Sequence, residues 1–422
     1  MSAELINNVI AQGQRLAIHS WEYGTFAEAL LEWHHPQFSV FGPDPFPNGK
    51  VPVLQVDDVQ SLSYAKPHIW TNQSTLVDGD GAAGDPASLG VSAILIGQTQ
   101  PAYLAAAGRQ VDHLLTAVPR WPNGAISHRE AVAELWADFV YMAPPALAYW
   151  AAQTADAGLL AEVLRQCSLY RDVLGVPLPL PLKKSGAGGN SSSNEDPFAA
   201  GGLWHHIIGP ETQDLGIWST GNAWAAAGMT RVLATALKFP QNSNSTKTKK
   251  KSKNLDAGIQ TVKAIVRDIL DAAIALDQAE PNEPLLRNYL NDTTWFGELS
   301  GTTLLTATVY RLAVLAPDEF GGGAGGDKNK NGSSDSNNKY VQWADAKRPE
   351  IIARVNAQGL LSPVINPLNW GDRTPGTESP EAQAFALLMF AAWRDYQEAG
   401  RKKGTGTTPP GKGKDRGKGN LT

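Results

Sequence analysis

Apolar residues recur at intervals of three and four along most of the chain, the spacing that places them on one face of an α-helix. The first such region, residues 86–118, predicts two helices because GQTQP interrupts it. A strand pattern is convincing only in VPVLQVDD at 51–58, and FAEALLEWH at 26–34 is helical in spacing. The other helical segments are residues 222–239, 254–278, 300–317, 340–359 and 379–399. We therefore predict an all-α chain of paired helices, with about a dozen helices in total.

Four segments interrupt this pattern because they are rich in Gly, Ser, Asn and Lys and almost free of apolar residues. They are residues 183–196, 240–254, 321–339 and 400–422. Such composition cannot form a packed core. We predict one domain over residues 1–399 with three low-complexity insertions, followed by a disordered basic tail. The lysine run inside the second insertion resembles a nucleic-acid patch, but a solvated loop fits it better because no aromatic residues are interleaved.

Composition limits the possible functions. The chain has 422 residues, of which 42% are hydrophobic, and a formal net charge of −5, so it can bury a large core but has no general attraction for nucleic acid or membranes. Its single cysteine, Cys167, cannot form an intramolecular disulfide. The N-terminus lacks a signal-peptide pattern and no apolar run has membrane-spanning length. We expect a soluble cytoplasmic protein, secreted if the N-terminus is incomplete, and a monomer or weak homo-oligomer.

The 13 tryptophans are an excess that has two interpretations. Tryptophans line clefts that bind carbohydrates and aromatic ligands, because the indole offers both a flat apolar face and a hydrogen-bond donor. Large helical cores also hold many aromatic side chains. Composition alone leaves both interpretations open, so the position of each tryptophan has to decide.

Signals for helix starts accompany several polar motifs. SHRE at 127–130 predicts a capping box, in which the Ser127 hydroxyl accepts from first-turn amides and Glu130 reaches back. SGTT follows WFGEL, and SPEA places Ser379 at an N-cap with Pro380 at the first helical position. The polar, aromatic motifs are therefore predicted to precede or open helices. In a ring of helical hairpins such ends meet at one rim.

Asp138 interrupts the apolar segment that follows the predicted capping box. If the helix continues from that cap, Asp138 lies on the flank of its apolar face, beside Leu135 and Met142, and is partly buried. A desolvated carboxyl group holds its proton more readily, which suits a proton donor near neutral pH. An aspartate that caps a neighbouring helix or pairs with an arginine fits the same pattern. Pro144 and Pro145 remove two backbone donors and are predicted to kink or end the helix.

A second stretch, GLWHHIIGPETQDLGIWSTGNAW, is denser in polar and aromatic groups than core packing requires. Its adjacent histidines, His205 and His206, point in divergent directions and have no Cys, Asp or Glu at ligand spacing, which argues against a zinc site. The chain also lacks a nucleophile elbow, a P-loop and a dinucleotide fingerprint. We therefore predict a loop that contributes to a binding site without metal.

Four motifs in one order make the chain recognisable. AISHREAVAELWADFVYMAPPALAYWA, GLWHHI with WSTGNAW, WFGELSGTT and SPEAQAF resemble the unsaturated glucuronyl and rhamnogalacturonyl hydrolases of glycoside hydrolase families 88 and 105. The similarity covers residues 70 to 398 approximately and is interrupted at the insertions. It implies an (α/α)6 barrel, the six-hairpin glycosidase fold, that works without a metal or organic cofactor.

The resemblance also implies roles for particular residues. Asp138 corresponds to the catalytic acid/base. Asp85 in GDPASLG resembles the second aspartate, which holds sugar hydroxyls, with Asp78 and Asp80 as alternatives. The residues that resemble the lining of the family's sugar site are His128, Trp136, His206, Trp218, Thr220, Asn222 and Trp224.

Thr220 marks a departure from the family pattern. Family members carry an arginine in the stretch W-x-R-G-x-x-W, where this chain reads WSTGNAW. An arginine offers a planar fork that matches a carboxylate, whereas a threonine supplies one donor. Either another group, such as Asn222 or a histidine, replaces the arginine, or the substrate differs.

The implied substrate is an oligosaccharide with a Δ4,5-unsaturated uronic acid at its non-reducing end, the product of a lyase acting on pectin or a related polymer. The implied reaction is hydration of the double bond, which needs one carboxyl group as both acid and base. Two alternatives stay open. An ordinary glycosidase would pair Asp138 with Glu298 or Asp85. A non-catalytic helical scaffold would need an exposed apolar groove and no convergent pocket.

Overall fold

The computed structural model describes residues 2–178, 201–239, 246–321 and 338–404, and the predicted insertion at 183–196 lies outside them. The α-helices within these ranges are α1 (Ala3–Leu16), α2 (Ser20–His34), α3 (Gln60–Ala65), α4 (Gly90–Gly97), α5 (Pro101–Thr116), α6 (Phe139–Met142), α7 (Pro144–Thr154), α8 (Ala157–Leu174), α9 (Ser219–Leu237), α10 (Thr246–Gln278), α11 (Leu299–Leu315), α12 (Pro317–Phe320), α13 (Lys339–Ile352) and α14 (Pro380–Gly404). Within these ranges, no helix has the length and apolar character needed to cross a bilayer.

Six helices form a closed inner ring, in the order α2, α4, α7, α9, α11 and α14, and α14 packs back against α2. An outer layer covers this ring: α3 packs on α2, α5 on α4, α8 on α7, α10 on α9, α13 on α11, and α1 on α14. Each inner helix therefore contacts two inner neighbours and an outer one, which explains why its apolar, small and even charged residues are buried. The architecture is an (α/α)6 barrel, and the predicted fold class is confirmed.

Glycines allow the inner elements to approach closely. A Cβ atom at Gly228 of α9 would collide with the carbonyl oxygen of Val140 in α6, and one at Gly301 of α11 would collide with Ser219 of α9. These positions need glycine because any larger residue would push the helices apart. The backbone of α6 is thereby able to pack closely against α9.

Buried ion pairs connect three inner helices. Arg231 Nη2 lies 2.7 Å from Glu28 Oε2, and Arg311 Nη2 lies 2.6 Å from Glu32 Oε2. These contacts join α9 and α11 to α2, and all four residues are buried. Removing one member would leave an uncompensated buried charge, at a cost of about 3–5 kcal/mol.

The predicted helix over residues 127–138 is wrong. The Ser127 hydroxyl accepts from the backbone of Arg129 at 2.9 Å and of Glu134 at 3.0 Å, so it holds a loop together instead of capping a helix. Glu130 pairs with His113 at 2.8 Å and does not reach back to the loop. The first helical residue is Phe139, in α6.

Two short strands replace that helix. β1 (Leu135–Trp136) pairs antiparallel with β2 (Ile207–Ile208), with Leu135 opposite Ile208. Leu135 and Ile207 are fully buried. The apolar spacing that predicts a helix is thus satisfied by pairing with a distant segment, a competing use of the same residues.

Other boundaries agree with the sequence or need correction. The break between α4 and α5, the end of α6 just before Pro144, and the start of α14 at Pro380 after Ser379 are as predicted, whereas the sequence does not predict that α7 begins at Pro144 itself. Residues 51–58 do not form a strand; they end in a short 3-10 turn, Val56–Asp58. The second insertion is wrong in part, because α10 already begins at Thr246. α14 likewise extends into the predicted tail, whereas residues 322–337 and 405–422 lie outside the described ranges.

Candidate active site

A cavity of about 390 Å³ opens where the inner helices begin. This volume is within the range of pockets that bind small ligands. Seven of the residues predicted for the site line it: Asp85, His128, Trp136, Asp138, His206, Trp218 and Trp224. Asp80, one of the alternatives to Asp85, also lines it, together with five polar or aromatic residues for which the sequence predicts no site role: His19, Trp21, Arg129, Trp370 and Glu381. Segments that precede or open inner helices therefore meet at one end of the ring.

The pairing of β1 with β2 brings the two principal motifs together. Leu135 and Trp136 lie opposite Ile208 and Ile207, and the backbone N–H of Ala137 donates to the carbonyl of His206 at 2.9 Å. Asp138 lies two positions after the end of β1, and His206 immediately precedes β2. Their side chains therefore meet although they are 68 positions apart in the chain.

Asp138 belongs to a chain of hydrogen-bonded side chains. His206 Nε2 lies 3.2 Å from Asp138 Oδ2, and His206 Nδ1 lies 3.0 Å from Asp214 Oδ2. The Tyr289 hydroxyl donates to the same Asp214 oxygen. Asp138 Oδ1 is buried and has no hydrogen-bond partner among the described residues. One oxygen of Asp138 is therefore fixed by an imidazole, and the other is unengaged.

Competing effects set the pKa values of His206 and Asp214. Burial alone would lower the pKa of His206, but the negative charges and hydrogen bonds of Asp138 and Asp214 raise it above its ordinary value. Burial alone would raise the pKa of Asp214, but His206, Tyr289 and a backbone N–H lower it. Asp214 is therefore a stable carboxylate that fixes the orientation of His206.

Asp85 and His128 form a second, uncharged pair. Burial, reinforced by the nearby charge of Asp138, raises the pKa of Asp85 to about 8. Burial lowers the pKa of His128 to about 3. His128 Nδ1 lies 3.9 Å from Asp85 Oδ1 and has no hydrogen-bond partner among the described residues. Near neutral pH, Asp85 therefore holds a proton and His128 is a neutral imidazole.

The alternatives to Asp85 differ from it in position. Asp80 lines the cavity but is exposed, and its carboxylate lies 3.5 Å from His19 Nδ1. Asp78 does not line the cavity and instead accepts from the backbone N–H of Asp80 at 3.0 Å. Of the three aspartates, Asp85 is the one buried inside the cavity.

Aromatic rings form the cavity walls. His128 stacks on Trp136 with ring centroids 4.7 Å apart, and His206 lies 4.5 Å from Trp218 and 5.0 Å from Trp370. Indole faces beside polar groups suit the apolar face and the hydroxyls of a sugar ring.

Hydrogen bonds from each indole N–H fix the orientation of two of these rings. Trp136 Nε1 donates to Glu134 Oε2 at 3.1 Å, and Trp218 Nε1 donates to Asn288 Oδ1 at 2.9 Å. Glu134 is itself held by the backbone N–H of Glu211 at 2.9 Å. The walls are therefore pre-formed and do not depend on a ligand for their orientation.

Two residues predicted to bind substrate do not line the cavity. Thr220 is fully buried and its hydroxyl lies 3.5 Å from Glu298 Oε2. Asn222 accepts from the Trp204 backbone N–H and donates to the carbonyls of Trp204 and Trp218. Both side chains act within the protein because helix α9 turns them away from the cavity. The predicted placement of Thr220 and Asn222 in the sugar site is therefore wrong.

Glu298 is likewise structural. Its carboxylate accepts from the backbone N–H groups of Ser300 at 2.7 Å and Gly301 at 2.8 Å, and so caps α11. It does not line the cavity. Pairing of Asp138 with Glu298 in a two-carboxylate mechanism, one of the alternatives left open by the sequence, has no geometric support.

Glu381 is a third buried carboxyl group at the cavity. Trp21 Nε1 donates to its Oε1 at 3.0 Å, and its Oε2 has no partner among the described residues. Burial, together with the charge of Asp138, raises the pKa of Glu381 well above its ordinary range. The SPEA motif places this residue at a helix start, but nothing in the motif shows that the helix start opens into a cavity.

His205 does not join these groups. Its Nδ1 contacts the carbonyl of Leu215 at 2.7 Å, so the two adjacent histidines diverge. Among the described residues, no three His, Cys, Asp or Glu side chains are grouped as metal ligands.

A closed ring of helix pairs, with carboxyl, imidazole and indole groups gathered where the inner helices begin, defines the class of six-hairpin glycosidases. Residues 61–268 match the domain family Glycosyl Hydrolase Family 88. Residues 61–268 thus carry a family 88 domain, and the chain is a glycoside hydrolase. No curated protein matches the chain closely enough to be counted as a relative.

Solved structures share the fold over nearly the whole chain. A possible member of the GH105 family from Salmonella enterica subsp. enterica serovar Paratyphi A str. ATCC 9150 has a TM-score of 0.62 at 16% identity, covering 93% of each chain. The family 105 glycoside hydrolase of C. acetobutylicum ATCC 824 has a TM-score of 0.59 at 12% identity, covering 93% of this chain and 98% of its own. The family 88 glycosyl hydrolase from Bacteroides vulgatus has a TM-score of 0.52 at 14% identity, with the same coverages. At such identities these structures demonstrate the common fold.

Proposed function

We propose that the protein removes a Δ4,5-unsaturated uronic acid from the non-reducing end of oligosaccharides that lyases release from pectin-type polymers. The observation that carries this proposal is the state of the Asp138 carboxyl group. One of its oxygens is hydrogen-bonded to His206, and the other, Oδ1, has no partner among the described residues. A single carboxyl group of this kind, at a cavity of about 390 Å³, supports a reaction in which one residue both gives and takes a proton.

In the proposed reaction Asp138 donates a proton to C4 of the enol-ether double bond, and positive charge develops at C5. A water molecule then adds to C5 and gives a proton to the Asp138 carboxylate, which returns to its starting state. The hemiketal opens by breaking the bond between C5 and the ring oxygen, and the exposed C1 hemiacetal releases the neighbouring sugar. One water molecule is consumed in total. His206 keeps Asp138 oriented through both proton transfers.

The neutral groups of the cavity fit the remaining needs of this reaction. Asp85, whose pKa burial raises to about 8, is a hydrogen-bond donor for a sugar hydroxyl near neutral pH. Trp218 and Trp224 provide apolar surface for the uronate ring. Because His128 is neutral, it can accept a hydrogen bond without adding charge.

One observation favours a second candidate, an ordinary two-carboxylate glycosidase. Asp85 and Asp138 line the same cavity, and a carboxyl group protonated near neutral pH is what a general acid requires. In that mechanism Asp85 would protonate the leaving oxygen, while Asp138 would act as nucleophile or base at the anomeric carbon.

The two reactions are distinguished by matched substrates. The purified protein is incubated with a lyase-generated unsaturated disaccharide and, separately, with its saturated counterpart. We expect the far-UV absorbance of the double bond to disappear as sugar is released from the first, and no release from the second. Release from the saturated disaccharide, or release that leaves the double bond intact, would establish the two-carboxylate reaction instead. Absence of release from both would contradict either proposal.

A further inference from the structure

The cavity has an unusual balance of charge. Its lining contains four carboxyl groups, Asp80, Asp85, Asp138 and Glu381, but a single arginine, Arg129, and no lysine. Burial raises the pKa of Asp85 to about 8 and that of Glu381 well above its ordinary range. The two other carboxyl groups each lie beside an imidazole, Asp80 at 3.5 Å from His19 and Asp138 at 3.2 Å from His206. Among the described residues, none of these four carboxyl groups forms an ion pair with Arg129.

Among the described residues, the Arg129 side chain contacts an aromatic ring but no hydrogen-bond or ion-pair partner. Its guanidinium makes no hydrogen bond or ion pair with any of the described residues, and its carbon lies 5.9 Å from the centroid of the Trp136 ring. It acts on Asp85 only through space, since its charge lowers the pKa of Asp85 against the larger effect of burial. All the donors of the guanidinium fork therefore remain available to a ligand in the cavity.

The backbone holds Arg129 in place. Arg129 forms an antiparallel bridge with Ala82, and the next residue, Glu130, donates from its backbone N–H to the Gly81 carbonyl at 3.0 Å. The Arg129 N–H itself donates to the Ser127 hydroxyl at 2.9 Å. A Cβ at Gly81 would lie 2.8 Å from Arg129 Nη2, so the glycine leaves room for the guanidinium. The charged group thus stands on an ordered segment at the cavity.

The position where related enzymes carry an arginine cannot supply a cation here. That position is Thr220, whose side chain is buried toward Glu298 and away from the cavity. Asn222, the other group considered as a replacement, is engaged with the backbone of Trp204 and Trp218. A uronate bound in this cavity would meet Arg129 as the one permanent positive charge of the lining.

We infer that Arg129 binds the carboxylate of the uronic acid and so selects acidic over neutral sugars. The inference rests on the proposed function, because it assigns a residue to the carboxylate of that substrate. A planar guanidinium can bind both carboxylate oxygens in parallel, which fixes the ring as well as attracting it. Arg129 is therefore a specificity-determining residue, placed in the 127–134 loop and not in the Trp218 stretch.

The inference is tested with a pair of substrates that differ only in charge. They are the unsaturated disaccharide as the free acid and as its C6 methyl ester, assayed with the wild type and with Arg129→Gln. We expect the wild type to favour the acid by about 10- to 100-fold in kcat/KM, mainly through KM, as loss of a charge-assisted hydrogen bond predicts. Arg129→Gln should lose this preference, and Arg129→Lys should keep part of it. Arg120→Gln is the matched control, because Arg120 donates to the Leu115 and Gly124 carbonyls and does not line the cavity.

Binding measurements separate this inference from the proposed reaction. The affinities of the wild type and Arg129→Gln for galacturonate, glucuronate and the corresponding neutral sugars are compared by calorimetry. Loss of a uronate preference in Arg129→Gln supports the inference even if the wild type leaves every double bond intact, which would contradict the reaction alone. A wild type without a preference for the acid, or an Arg129→Gln protein that retains it, overturns the inference. Thermal melts of each variant confirm that the compared proteins are folded.

Discussion

His206 Nε2 lies 3.2 Å from Asp138 Oδ2, and this contact defines how the candidate acid is held. The other ring nitrogen lies 3.0 Å from Asp214, whose carboxylate also accepts from Tyr289. An imidazole between two carboxyl groups has a fixed ring orientation, and the carboxylate at Nδ1 determines which nitrogen carries a proton. The orientation of Asp138 therefore depends, through His206, on Asp214 and Tyr289, which do not line the cavity.

Asp138→Asn tests the acid itself. The amide is nearly isosteric and can keep the contact with His206, so we expect the fold to be preserved. Turnover of the unsaturated disaccharide should fall by at least ~100-fold, with substrate binding largely kept. If Asp138 were only a structural partner, the same change would lower stability by about 1–3 kcal/mol and leave the rate per folded molecule unchanged. Thermal melts and turnover on one purified variant decide, and a folded variant with near-normal turnover would refute the mechanism.

Asp214→Asn tests the support of His206. Loss of the negative charge removes one of the interactions that raise the pKa of His206, so the limb of the pH–rate profile that His206 governs should move to lower pH. An amide can also donate to Nδ1 and favour the wrong tautomer, which should lower kcat by roughly 10- to 100-fold. Tyr289→Phe is the control: it removes one hydrogen bond to Asp214 but keeps the charge, so its effect should be smaller. An unaltered profile and kcat in Asp214→Asn would show that Asp214 has no such role.

Asp85→Asn tests the buried neutral carboxyl group through stability. The pKa of Asp85 is 3.8 in its ordinary environment and about 8 in the folded protein. Between these values the folded protein holds a proton that the unfolded chain has lost, so this contribution is complete below pH 3.8 and declines as pH rises toward 8. Asparagine removes the titration, so the variant should gain on the order of 5 kcal/mol over the wild type at pH 8 relative to pH 4, at about 1.4 kcal/mol per pH unit. Urea melts at both pH values measure this difference, and a constant difference would contradict the protonated state of Asp85.

Deletion of 183–196 together with 322–336 tests the predicted insertions. Both segments contain almost no apolar side chains, so their removal loses little burial and shortens loops at small entropic cost. We expect the double deletion to fold and to retain turnover. The second insertion should not be removed in full, because residues from Thr246 onward belong to α10. Failure of the double deletion to fold would show that these segments support the barrel.

The sequence predicts the barrel well because the inner and outer helices are marked by local signals. The GQTQP break separates α4 from α5, α6 ends just before Pro144, and Ser379 precedes α14, as the pattern indicates. The helix predicted from the capping box at Ser127 fails because its apolar residue Leu135 is buried by pairing with Ile208, which lies far away in the chain. Local spacing cannot distinguish burial against a neighbouring helix from burial in a small sheet.

The sequence places some residues of the candidate site and misses others, and the difference has a physical reason. Asp138 and His206 stand in motifs, so resemblance places them in one site, and the cavity contains both. Thr220 and Asn222 stand in such a motif too, but the turn of α9 directs them into the protein. Arg129 and Asp214 carry no local mark, since a free guanidinium and a carboxylate facing an imidazole are properties of the assembled chain. The sequence does not show which charged groups lie next to one another in the folded protein.

The pairing of β1 with β2 joins two segments of the chain that each supply part of the candidate site. Asp138 and Asp85 lie before the 183–196 segment, and His206 and Asp214 lie after it. The candidate site is thus built from two segments of the chain. They pair through Leu135 with Ile208 and Trp136 with Ile207. A shift of the register between β1 and β2 by one residue would turn their side chains to the opposite face. It would also separate Asp138 from His206. Both segments, paired in this register, are therefore needed to bring Asp138 and His206 together.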